Sequence, residues 1–191
     1  MADMGLGKIG GNNVVFKRKY RWTFGARWGG QDIPTAFVKV ANRPNLTIEQ
    51  TEINYLHGKM WIPGKGTWET LTVGYYDMGG TDAAQMQSLW NWLVSIYDFT
   101  NAASLKQTSK RGNDGNDSGW AGVGTLTMYD GTGTEMEHWT LKNMWPATIN
   151  FGDLDYGSSE VATIDLTLRF SEAEWVPSCG IQTPKPQFQG C

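Results

Sequence analysis

The stretch WIPGKGTWE, residues 61–69, sets a Gly-Lys pair among glycines and could belong to a phosphate-binding loop. Such a loop needs a glycine, four residues and then Gly-Lys-Ser/Thr, so that backbone N–H groups converge on phosphate. Here five residues separate Gly58 from Gly64, Gly66 replaces the hydroxyl residue, and Pro63 lacks an N–H donor. The stretch therefore does not predict a nucleotide site.

Two further motifs resemble ligand-binding loops without meeting the requirements of either. GLGKIG, residues 5–10, matches the dinucleotide glycine pattern, but neither a strand before it nor a helix after it is predicted. DGNDSG, residues 114–119, begins like a calcium loop, yet Thr125 occupies the position that requires a bidentate glutamate. We interpret the first as a Gly-rich arm and the second as a surface loop.

The residues that could perform acid–base chemistry do not form a recognisable site. His57 and His138 are far apart in sequence and belong to no HExxH pattern. Asp153 and Asp155 could serve glycoside hydrolysis as a carboxylate pair, but no cleft is predicted around them. The sequence therefore predicts no catalytic residue, no cofactor-binding residue and no metal ligand, and we expect the protein not to be an enzyme.

The composition favours a β-rich structure with many turns. Of 191 residues, 40% are hydrophobic and only 18% charged, and there are 24 glycines and 10 tryptophans. The formal net charge of −3 argues against a nucleic-acid binder, although not against a surface that nucleic acid only passes. We expect no signal peptide and no membrane-spanning segment, and the two cysteines, at 179 and 191, fit a cytoplasmic site of synthesis.

The elements that must position these residues are mostly strands. Alternation of apolar and polar residues predicts strands within residues 17–25, 35–41, 46–56 and 67–77. NRPN, residues 42–45, predicts a turn. The stretch at 61–66 then becomes a loop between the third and fourth of these strands.

One helix is predicted within residues 79–99. Asp82 can cap its N-terminus, with Gln85 in the capping-box position. An apolar stripe at helical spacing predicts packing against a sheet rather than a cofactor site, and it comprises Met86, Leu89, Trp90, Leu93, Ile96 and Tyr97.

The second half predicts a hairpin and a closing strand. The hairpin turn is DGTG, residues 130–133, and residues 160–170 alternate with Ile164, Leu166, Leu168 and Phe170 on one face. We therefore predict a mainly β fold, a two-sheet β-sandwich or barrel of about seven strands with one flanking α-helix. We expect a flexible arm at 1–15, the β-barrel domain at 16–176 and a Pro/Gly-rich tail at 177–191.

Several segments together resemble the tail tube proteins of contractile-tailed bacteriophages. They cover residues 46–77, 88–100, 124–156 and 158–170. The shared features are Ile-Pro-Gly-Lys between two strands, a helix that ends in Tyr-Asp, and Trp-Pro followed by Asn-Phe-Gly-Asp. The resemblance extends from about residue 20 to 170 and does not include the two arms.

The resemblance implies a fold shared with the tube proteins of bacterial injection systems. Subunits of this family form hexameric rings that stack head to tail into a tube within the virion, assembled in the host cytoplasm. The implied partners are other copies of the chain, the tail sheath protein, and baseplate and tail terminator proteins. DNA would pass through the lumen without specific binding when the sheath contracts, and no cofactor is implied.

The resemblance also gives the opening stretch a role. It implies that the loop contacts the neighbouring ring through Trp61, Ile62, Pro63, Gly64 and Lys65. A conduit for DNA should repel phosphate, so we expect acidic residues in the lumen, with Glu49, Glu52, Glu160 and Asp165 as candidates.

Two other functions remain open at this point. A tube of a contractile injection system that translocates protein would have the same fold. A carbohydrate-binding β-sandwich, which would stack exposed tryptophans on sugar rings, would instead be a stable monomer with sugar affinity. An enzyme is the weakest reading, because no nucleophile, base and orienting group can be placed together.

Overall fold

The computed structural model describes residues 17–33, 37–77, 84–101, 103–104 and 119–177. The predicted arm at 1–15, nearly all of the predicted tail, Asp82 and both cysteines lie outside these residues. So does most of the calcium-like loop at 114–119. The one helix of the described residues is too short and too polar to cross a membrane.

The described residues form one α-helix and twelve strands, more than the seven strands predicted. The helix is α1 (Ala84–Ile96). The strands are β1 (Trp22–Trp28), β2 (Gln31–Ile33), β3 (Val38–Ala41), β4 (Leu46–Tyr55), β5 (Gly58–Trp68), β6 (Leu71–Tyr76), β7 (Tyr97–Asp98), β8 (Ala103–Ser104), β9 (Gly122–Tyr129), β10 (Glu135–Asn150), β11 (Thr163–Arg169) and β12 (Glu172–Pro177).

Two antiparallel sheets share the long strand β10. Its first part pairs with β9 on one side and β12 on the other, which gives the order β2-β1-β9-β10-β12. Its last part, residues 145–150, pairs with β11 and continues as β10-β11-β6-β3. The part of β10 that pairs with β11 contains a bulge between Pro146 and Thr148. Over the described residues the fold is thus the predicted two-sheet β architecture with one flanking helix, and these strands do not close into a barrel.

The predicted closing strand and hairpin are confirmed. In β11 the side chains of Ile164, Leu166 and Leu168 are buried and Asp165 and Arg169 are exposed, because alternate residues of a strand point to opposite faces. The 130–133 turn joins β9 to β10, and the Asp130 carboxylate accepts hydrogen bonds from the backbone N–H groups of residues 132 and 134, at 2.7 and 2.8 Å.

The helix packs on the sheets as predicted, but with a different tryptophan. Trp92 has no exposed surface, stacks on Trp28 with ring centroids 6.2 Å apart, and donates its indole N–H to the carbonyl of Trp120. Gly122 leaves room for this ring, since a Cβ there would lie 2.9 Å from it. Trp90, assigned to the buried stripe from its spacing, is 42% exposed.

Candidate self-assembly surface

The strands β4 and β5 form a ribbon that projects from the sheets. Among the described residues they pair only with each other. All residues of β4 are exposed, and in β5 only Trp68 is partly buried. Because a two-stranded hairpin is marginally stable on its own in water, a ribbon bare on both faces needs another surface to cover it.

The predicted stacking loop is part of this ribbon and not a loop. Residues 61–65 lie inside β5, and the chain reverses at Leu56 and His57. Pro63 and the glycines suggested a turn, but both strands of a two-stranded ribbon are edges, where proline is tolerated. The extra residue of β5 forms a bulge opposite Glu49, where a Cβ on Gly64 would lie 3.2 Å from the Glu49 carbonyl oxygen.

The two faces of the ribbon differ in chemistry. Strand pairing places Ile53 opposite Met60 and Thr51 opposite Ile62, so that one face is mostly apolar toward the tip. We call Ile53, Tyr55, Met60 and Ile62 the apolar ribbon face; all four side chains are exposed. The other face carries Trp61 and an ion pair between Lys59 Nζ and Glu52 Oε1 at 2.7 Å.

The four acidic lumen candidates lie on three separate elements. Glu49 and Glu52 are on β4, Asp165 is on the solvent side of β11, and Glu160 is in the connection between β10 and β11. All four are exposed. Glu52 differs from the others because Lys59 partly neutralises it.

The sheet β10-β11-β6-β3 has open edges on both sides. β3 has a hydrogen-bonded partner strand only in β6, and residues 145–150 of β10 have one only in β11, within the described chain. Unpaired N–H and C=O groups at such edges are templates for a strand from another chain. Two different edges on one molecule suit a head-to-tail contact between copies.

A surface aromatic cluster was missed from the sequence. Trp90 stacks on Phe99 with ring centroids 5.2 Å apart and lies 6.5 Å from the Phe151 ring, and all three side chains are exposed. Helical spacing alone assigned Trp90 to the core. Trp92, two residues further along the helix, lies on another face, but the local sequence does not show which of the two tryptophans faces the sheets.

The His138 environment is not that of a catalytic triad. Its Nδ1 lies 2.8 Å from Glu135 Oε1 and 3.1 Å from Thr127 Oγ1. A triad needs the carboxylate at one ring nitrogen and the nucleophile at the other. Here both partners share Nδ1, so the imidazole cannot carry a proton between them. Within the described ranges no three His, Cys, Asp or Glu side chains are placed to bind a metal.

A buried carboxylate links Lys17 and Arg43 to β10. Glu137 is 3% exposed, forms an ion pair with Lys17, and accepts hydrogen bonds from Arg43 at 3.0 Å and from the indole N–H of Trp139. Burial acts to raise the pKa of Glu137, but the Lys17 and Trp139 hydrogen bonds and the Arg43 charge outweigh it, and the pKa lies below its ordinary value of 4.5.

This lowered pKa predicts a specific acid sensitivity. Because the folded-state pKa is below the unfolded-state one, the carboxylate stabilises the fold above about pH 4.5, and this is lost as pH falls through the folded-state pKa. Glu137→Gln should lower the free energy of unfolding at pH 7 by about 1–3 kcal/mol and should show a smaller further loss in acid. Urea unfolding at both pH values measures this; the exposed Glu172→Gln variant should keep the wild-type profile.

Solved structures with the same fold come from contractile assemblies, whereas neither a family model nor a curated protein sequence matches the chain. A chain of the anti-feeding prophage cap, described as a tube terminating cap, is 17% identical with a TM-score of 0.61, over 93% of this chain and 100% of that one. A chain of the PVC sheath–tube complex, from an extracellular contractile injection system, is 17% identical with a TM-score of 0.60, over 90% and 97%. A chain of the six-fold symmetrised anti-feeding prophage baseplate is 14% identical with a TM-score of 0.61, over 86% and 97%.

Proposed function

We propose that this chain is the tube subunit of a contractile particle, a structural protein whose copies form hexameric rings that stack head to tail. The fold supports this, because similar chains occur in a sheath–tube complex and a tube terminating cap. The observation that carries the proposal is the ribbon β4–β5, exposed on both faces and apolar along one of them. A monomer would gain nothing from such a ribbon.

Stacking gives the ribbon a partner. Ile53, Met60 and Ile62 would be buried against the adjacent ring, together with Trp61, Pro63, Gly64 and Lys65 of the predicted stacking segment. A contact between different surfaces on successive copies does not close on itself, which is the geometry that produces a filament. An extended strand spans about 3.3 Å per residue, and its pairing with a second strand holds the side chains in fixed positions.

The rings would form through the open edges of the sheet β10-β11-β6-β3. Pairing the β3 edge of one copy with the β10 edge of the next uses two complementary templates and leaves neither edge of this sheet exposed in the ring. The partners outside the tube would be a tail sheath protein, a baseplate and a terminator. We place the protein in the tail of a virion, assembled in the host cytoplasm.

Electron microscopy of the concentrated, purified protein tests the proposal. Negatively stained rings or hollow tubes are the expected result. A monomer that persists at all concentrations, even with preformed tube ends as seeds, would contradict it. Specific glycan binding by such a monomer would then favour the carbohydrate-binding reading, with Trp61, Trp90 and Trp175 as its exposed aromatic residues.

The acidic lumen gives a prediction of its own. Glu49→Lys, Glu160→Lys and Asp165→Lys, made singly, should leave tubes intact because all three side chains are exposed. Those that face the lumen should slow DNA ejection several-fold, since a basic wall attracts phosphate. Ejection from particles built with each variant is the measurement. If DNA ejection is unchanged in all three variants, none of these three side chains faces the lumen.

A second candidate function is the tube of an injection system that translocates protein. The similarity to a chain of an extracellular contractile injection system favours it as much as the phage reading. Antibody against this chain, used to label particles from producing cells, separates the two. Label on tails attached to DNA-filled heads supports genome delivery, and label on headless particles supports protein cargo.

A further inference from the structure

A cleft of about 500 Å³ separates β3 from the start of β1 and the end of β9. Its basic residues are Lys17, Lys19, Lys39 and Arg43, and its apolar lining includes Trp22, Leu126 and Met128. Lys17 and Arg43 are paired with Glu137. Lys19 and Lys39 have no carboxylate partner among the described residues, so the cleft presents uncompensated positive charge beside an apolar lining.

The connection from β10 to β11 has the complementary chemistry. Residues 151–161, FGDLDYGSSEV, contain three acidic residues and no basic one. Leu154 is 90% exposed and Tyr156 is fully exposed, at 112%. The Asp155 carboxylate accepts a hydrogen bond from the Gly157 backbone N–H at 2.9 Å, so a turn holds Tyr156 outward. Large apolar side chains held this far into solvent favour burial against a partner.

The cleft and this acidic segment lie at opposite edges of one sheet. The cleft borders β3, and the acidic segment follows β10, which is the other edge of the order β10-β11-β6-β3. Three strand spacings of about 4.8 Å separate the two edges. Two complementary surfaces at opposite edges meet when copies are placed side by side, each turned by the same rotation.

We propose that the basic cleft of one subunit binds the acidic segment 151–161 of the next subunit around the ring. Tyr156 enters the cleft against Trp22 and Met128, and Asp153 and Asp155 lie near Lys19 and Lys39. This contact determines which surfaces meet in the side-by-side interface. The inference rests on the proposed function, because that function places the interface in a ring.

Charge selects this occupant over the chain's own terminal segments. Residues 1–16 contain one Asp and one Lys, and residues 178–191 contain one Lys and no acidic side chain. Neither complements a cleft with uncompensated positive charge. The segment 151–161 carries both the negative charge and the exposed aromatic side chain that the cleft can take.

Cysteine cross-linking tests the contact directly. In full-length protein with Cys179→Ser and Cys191→Ser, Val40→Cys in the cleft is combined with Tyr156→Cys. Mild oxidation should give a ladder of covalent multimers, because each copy donates one thiol to each neighbour. Thr132→Cys, in the exposed β9–β10 turn, replaces Val40→Cys in the control, which should remain monomeric.

Charge reversal tests the electrostatic part independently. Lys39→Glu and Asp155→Lys should each weaken side-by-side association at low salt by about tenfold, measured by sedimentation velocity. The double variant should recover most of the loss, since the two charges exchange places. Circular dichroism on each variant checks that the exposed substitutions leave the fold intact.

Each outcome bears on one proposal or the other. A ladder with rescue by the double variant supports the contact, even if no tubes are seen. Tubes by microscopy with no ladder, or with no weakening by either charge reversal, overturn the contact and leave the proposed function standing. Loss of both thiols without covalent multimers would mean that a disulfide forms within one subunit. The segment 151–161 would then lie in the cleft of its own subunit, which also overturns the proposed contact between subunits.

Discussion

Replacing Met60 and Ile62 with aspartate is expected to abolish assembly while leaving the subunit folded. Both side chains are exposed on the ribbon and contribute nothing to the core. In a stacked tube each would be buried, and full burial of such a side chain is worth about 1.5–3 kcal/mol. Aspartate loses this contribution and adds the cost of removing a charge from water. The loss recurs at every contact along the tube.

Sedimentation velocity and electron microscopy measure the assembly, and thermal unfolding measures the fold. The control adds the same two charges elsewhere, as Gln87→Asp and Asn91→Asp on the exposed side of α1, where the two side chains are hydrogen-bonded at 3.3 Å. That variant should assemble normally. If the Met60 and Ile62 variant forms tubes as readily as the wild type, the ribbon is not the stacking element.

Trp92→Ala should lower the free energy of unfolding more than Trp90→Ala or Glu137→Gln. The side chain is fully buried, stacks on Trp28 and satisfies the Trp120 carbonyl. Truncation leaves a cavity the size of an indole, and replacing a buried Phe or Trp by Ala costs about 3–5 kcal/mol. Urea unfolding, followed by circular dichroism, measures the change in the free energy of unfolding.

Trp90→Ala is the matched control on the same helix. Its ring is exposed and its main contact is the stacked Phe99, so its loss should cost about 1 kcal/mol. Equal losses at the two positions would mean that the helix packs on another face than the one described. A tube assembled poorly by Trp90→Ala with unchanged stability would identify the surface aromatic cluster as a contact surface.

Local patterns determined much of this protein. The alternation in residues 160–170 predicted β11 and its buried face, because a half-buried strand must alternate regardless of its neighbours. Asp130 and Gly133 predicted the turn before β10, since the carboxylate caps nearby N–H groups and glycine accepts a φ of 85°. The apolar helical pattern predicted that α1 packs on a sheet. The mainly β two-sheet fold followed from these elements.

Other features depended on which residues meet across the fold. The strand β12 was missed because Glu172, Ala173 and Glu174 have low strand propensity, and pairing with β10 overrides it. The burial of Glu137 requires Lys17 and Arg43, which are distant in sequence. No local sequence pattern predicts an ion-pair partner that is so distant along the chain.

The candidate site shows the same division. The sequence by itself determined which residues around position 61 are apolar, but it predicted wrongly that they form a loop between two strands. Only the three-dimensional structure decided that they form a strand, because the pairing of Gln50 with Pro63 and of Thr51 with Ile62 includes a bulge at Gly64 and Lys65 that the alternation of residue types does not show. It also decided that Trp92 and not Trp90 enters the core, since both satisfy local helical rules and only the position of the sheets distinguishes them.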